Sequence, residues 1–98
     1  MGTIAPMIEL KTDPLLFTDT WKGVKKFEIR LNDRGYKVGD VLRLRETAYS
    51  AKDMVNGARM HYTGRACHVR VLHILEGDNY GLANGWVVMS IEIIGQEQ

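Results

Sequence analysis

The chain has one cysteine, Cys67, so no disulfide can form within it, and a reducing compartment suits it. No apolar run approaches the roughly 20 residues that a membrane helix needs. The opening MGTIAPMIEL has neither a charged leader nor a long apolar stretch, so no secretion signal is read there and a cytoplasmic location is expected. A phosphate-binding P-loop is missing, and the glycines within residues 80–85 are too irregular for a dinucleotide fingerprint. His61, His68 and His73 do not have the spacing of a zinc motif, and one cysteine nearby cannot complete one. No metal and no cofactor is therefore expected. Repeats and low-complexity tracts are absent. Net charge is nearly absent as well: 13 Lys and Arg against 12 Asp and Glu leave +1, too little to attract a polyanion by itself. Residues 76–98 hold four acids and not one Lys or Arg.

What charge there is lies concentrated. Residues 22–45, KGVKKFEIRLNDRGYKVGDVLRLR, carry eight Lys or Arg against three acids, a local excess of five. An anionic partner meeting a confined patch is the first expectation. With 98 residues, 45% hydrophobic and 26% charged, the chain is one soluble domain over 1–98, expected as a monomer.

Taken in order, residues 1–7 read as a loose lead-in and Ile8 to Leu10 as a short strand. Asp13 and Pro14 open a helix, Asp13 as its cap and Pro14 where no donor is needed, and Gly23 ends it. Leu16, Phe17, Thr20 and Trp21 share one helical side, which should face the sheet. Phe27, Ile29 and Leu31 alternate with Glu28 and Arg30, which predicts a strand burying the apolar set and exposing the charged one. Asn32 to Gly35 and Val38 to Asp40 are turns, with Tyr36 packed between them, and Val41 to Arg45 alternates again. Residues 48–60 form a long loop with a helical turn near Ala51 to Val55. Thr63-Gly64-Arg65 reads as a tight turn before a long strand through Cys67, Val69 and Val71, and Trp86 to Ile94 is a last apolar strand. A core of Phe27, Ile29, Val41, Leu42, Val69, Val71, Val88 and Ile91 follows. The lone Cys67 is read as packing.

KFEIR, then NDR and VGD, a later YTGR and a closing YGLANGWVVMSIE resemble, in that order, the ASCH domains of the PUA-like superfamily. The nearest likeness is a bacterial and phage branch without an assigned function, and it covers residues 8 to 94. The resemblance implies an α+β fold: a small, closed or nearly closed β-barrel of five to six strands with one N-terminal helix covering a mouth. It also implies a partner that is RNA or a nucleotide-like anion, and no membrane.

The expected site is a basic cleft between the first helix and the Phe27 and Val41 strands. Lys11, Thr12, Lys25, Glu28, Arg30 and Arg34 would line it, and Arg65 would reach it from the face of Arg43 and Arg45. Arginine can chelate a phosphate in bidentate fashion, and Glu28 can accept from a base amino group or ribose hydroxyl. One alternative is an amidohydrolase acting on an acylated nucleoside, since Gly23 and Lys25 match two positions of a related hydrolase group. Its threonine nucleophile is replaced by Glu28, so catalysis would instead use Glu28 as base and Lys25 to stabilise an oxyanion. A second alternative is a protein-interaction module whose basic face meets an acidic partner.

Overall fold

Alternation places the strands, and the sheet decides which side of each is inside. The computed structural model describes residues 7–98, so the lead-in expected at the N-terminus lies, except for Met7, outside the described residues. The elements are β1 (Ile8–Thr12), α1 (Pro14–Trp21), β2 (Phe27–Leu31), β3 (Val41–Thr47), α2 (Ala51–Val55), β4 (Tyr62–Glu76) and β5 (Trp86–Glu97). They form one five-stranded sheet in the order β1-β3-β4-β5-β2, with β1 parallel to β3 and every other pairing antiparallel.

Register aligns the inner face strand by strand. Leu10 lies beside Leu44, Leu42 beside Val69, Leu44 beside Cys67, and Val71 beside Ile91. All are buried, and Phe17 of α1 is packed with them, completely enclosed. Each such side chain contributes about 1.5–3 kcal/mol when fully removed from water. Val41 and Val88, expected in this core, are half-buried on the other face.

β1 and β2 are the two ends of the sheet and share no backbone ladder. In a flat five-stranded sheet they would stand about 19 Å apart, four spacings of about 4.8 Å. Instead Arg30 Nη1 donates to the Lys11 carbonyl at 3.0 Å, and Nη2 reaches Thr12 Oγ1 at 3.3 Å. The sheet must therefore curl until its ends face each other, as a half-barrel whose seam is spanned by a side chain.

The largest departure from expectation is the phase of β2. Phe27, Ile29 and Leu31 are 47–50% exposed, whereas Glu28 is 2% exposed and points inward. The register explains it: Glu28 lies beside Met89 and Arg30 beside Val87, both inner-face residues of β5. The outer set lies beside Ser90, Val88 and Trp86, so the apolar side of β2 packs against the half-exposed outer face of β5.

Three local expectations also change. Asp13 makes no side-chain cap to α1; its Oδ1 accepts from the Ala51 N–H at 3.1 Å and ties the starts of the two helices together. α2 has its own cap, with Ser50 Oγ accepting from the Asp53 N–H at 3.1 Å. Leu16 is half exposed, so the buried side of α1 is Phe17 and Thr20. Gly23 ends α1 at φ +76°, as its position predicts. Thr63-Gly64-Arg65 is strand rather than turn: Gly64, at φ +100°, sits where the β3–β4 register slips between Arg45 and Thr47. A bulge of this kind re-aims the next side chain, here Arg65.

Candidate functional site

Between the edges of β1 and β2 and the flank of α1 lies an open cleft of about 1090 Å³. All five residues of β2 line it, as do Lys11 and Thr12 of β1, so its two walls are unpaired strand edges. The expected wall from the Val41 strand is replaced by β1. Leu16, Val24, Phe27, Ile29, Leu31 and Trp86 supply apolar surface.

Its floor is polar and buried. The inversion of β2 aims Glu28 inward, where Lys25 Nζ contacts Oε2 and Arg30 holds Oε1, through Nε at 2.9 Å and Nη2 at 2.8 Å. The side chain of Glu28 is 3% exposed and that of Lys25 9%. Lys25 also donates to the Phe27 carbonyl and lies over the Phe27 ring, 4.8 Å from its centroid, so one N–H of its ammonium has no hydrogen-bond acceptor. Arg30, with donors placed on Glu28, Thr12 and the Lys11 carbonyl, keeps one of its five. Arg30 is thus a strut across the seam more than a phosphate clamp. Thr12 is buried and accepts from Arg30, which leaves its own hydroxyl proton free to donate.

Lys11, Thr12, Lys25, Glu28, Arg30 and Arg34 all line the cleft, as expected from the sequence. Arg65 does not. The bulge turns it to the inner face, opposite Arg43 and Arg45, where it grips buried Glu46 through Nε at 3.0 Å and Nη2 at 2.8 Å. Its guanidinium lies over the rings of Phe17 and Trp21, 5.2 and 5.0 Å from their centroids. The Arg65 fork, joined by the Thr63 hydroxyl, holds the Glu46 carboxyl below the usual carboxylate range.

Nor is the cleft basic. Lys11, Lys25, Arg30 and Arg34 face Glu9, Asp13, Asp19, Glu28 and Asp33, one acid more than the cations. Arg43 and Arg45 lie outside, paired with Glu9. Burial pushes Tyr36 up from its ordinary value; its ring belongs to the buried core cluster while also edging the cleft. Sequence reasoning missed Asp19, Val24 and Trp86 as lining; the available signal for Trp86 was its position at the head of the last strand.

Cys67 is completely buried in the core, as its packing role predicts, and burial raises its thiol to about 11. Among the described residues, no three His, Cys, Asp or Glu side chains gather where they could hold a metal ion, and no helix is long and apolar enough to cross a membrane.

Fold and cleft together define a small α+β domain with an open-seamed sheet and a polar-floored groove. Over residues 7–91 the chain matches the family described as Domain of unknown function (DUF3850), and it belongs to that family. No curated protein matches it.

Proposed function

We propose that the cleft binds a nucleotide, either free or presented as an unpaired residue of RNA, and that the fold is an open-seamed relative of the PUA-like ASCH domains. The motif order quoted above supports the kinship. The observation that carries the function is the buried floor: Lys25, Glu28 and Thr12 offer one ammonium N–H, one carboxylate acceptor and one hydroxyl within a groove walled by apolar side chains. Such a set reads the hydrogen-bonding edge of a base, while the exposed rings of Phe27 and Trp86 offer stacking surface. Lys11 and Arg34 stand exposed at the rim and would meet the phosphate.

Tryptophan fluorescence reports on this directly, because Trp86 lines the groove. Each of the four nucleoside 5′-monophosphates is titrated in turn; at least one is expected to change the signal saturably, and Lys25→Ala to abolish the change. No response up to millimolar concentration would count against the reading.

The contact between Lys25 and Glu28 favours a second reading, hydrolysis of an acylated nucleoside. Glu28 would take a proton from water as it attacks the acyl carbonyl, Lys25 would stabilise the oxyanion, and the C–N bond would break with the proton passing to the leaving amine. Release of nucleoside that vanishes in Glu28→Gln is the result this requires.

A further inference from the structure

We infer that the cleft takes one nucleoside or nucleoside monophosphate rather than a strand of RNA; this rests on the nucleotide reading above and narrows it. The reason is charge that remains once internal partners are assigned. Glu28 offsets one of Lys25 and Arg30 and leaves the buried floor one positive charge, Glu9 is paired with Arg43, and Asp13 keeps its charge, because the Ala51 N–H it accepts from is neutral. Floor and Asp13 thus balance, and at the rim Lys11 and Arg34 stand against Asp19 and Asp33, all four exposed and outside the ion pairs found among the described residues. Two cations suffice for one phosphate. A second phosphate would meet the two aspartates.

Among the described residues, no Lys or Arg other than Lys11, Lys25, Arg30 and Arg34 lines the groove. Arg43 and Arg70 are taken up by Glu9, Glu97 and Glu92, and the free Lys22, Lys26 and Lys37 do not line the groove. Proteins that hold a single strand without a base code follow its backbone with a continuous basic groove. Here both signs alternate. The volume, about 1090 Å³, lies just above the roughly 300–1,000 Å³ common for small-ligand sites.

Calorimetry separates the possibilities, using the four nucleosides, their 5′-monophosphates and ten-nucleotide homopolymer RNAs, at 50 and 300 mM KCl. Binding through one phosphate loses about 3.5-fold across that range, and binding through four loses about 150-fold, at about 0.7 power of salt per phosphate. The expected result is a monophosphate that binds at least as tightly as any decamer, with the shallow dependence. A decamer that binds a hundredfold tighter with the steep one overturns the inference and leaves the nucleotide reading standing, whereas silence from every probe removes both. Asp19→Lys with Asp33→Lys is the second arm: it should raise decamer affinity about tenfold or more, and an unchanged decamer affinity would mean the aspartates exclude nothing.

Discussion

Two carboxylates of this chain are each held between two basic groups, in opposite surroundings. Glu28 sits between Lys25 and Arg30 on the inner face, with 3% of its side chain exposed, while Glu97 sits between Arg43 and His68 on the outer face, with 35% exposed. The outer cluster ties β3, β4 and β5 in water, where high dielectric and salt make such pairs weak. The inner cluster has given up its hydration, cannot be broken cheaply, and faces a groove. Composition alone does not distinguish a strut from a site; burial beside a cavity does.

The comparison breaks hardest at Glu28. Glu28→Ala leaves two cations on the inner face without their acid and should cost about 3 kcal/mol or more in urea denaturation. A loss no larger than that of the equivalent outer substitution would erase the distinction. Next in size is Arg65→Ala, which strands the buried Glu46 carboxylate with Thr63 alone and uncovers Phe17 and Trp21; about 1–3 kcal/mol is expected by the same measurement. Lys11→Ala and Arg34→Ala should each weaken binding of a nucleoside monophosphate about tenfold, or about 1.4 kcal/mol, while the denaturation midpoint stays put.

The smallest effect at neutral pH belongs to Glu97→Gln. Its dependence on pH is nevertheless specific. The Arg43 fork, then His68, lowers the Glu97 carboxyl to about 2. In the unfolded chain the same group titrates near its ordinary value of about 4.3. The folded state therefore binds this proton less readily: the contribution is complete above that ordinary value and drains away as pH falls from there to about 2. The difference in midpoint between the native chain and Glu97→Gln should shrink as pH falls below about 4.3, and a difference that grows there would contradict the pairing.

Much of the fold was legible because period-two alternation needs no partner to be seen: β2 and β3 fall where it predicts them, as does β4 from Cys67 onward, while β5 is legible from its apolar run. Alternation carries no sign, however. Whether Phe27 or Glu28 of β2 faces inward depends on which face of β5 it joins, and that register exists only once β5 is beside it. The grouping of Lys11, Lys25, Glu28 and Arg30 survived the inversion because all four lie near the seam. Arg65 went astray for a related reason: Gly64 reads as a turn in isolation, and only pairing with β3 makes it a bulge. Asp13 looked like a cap, but its oxygen went to Ala51, a partner 38 positions away.

The most direct test of a nucleotide site at the seam is two-dimensional ¹H–¹⁵N NMR of the intact chain, with each nucleoside 5′-monophosphate added in turn. Saturable shifts confined to the amides of Lys11, Thr12, Lys25 and Glu28 and their strand neighbours are the result expected. Shifts centred instead on Arg43, His68 and Glu97, or a spectrum that no nucleotide moves, would contradict it.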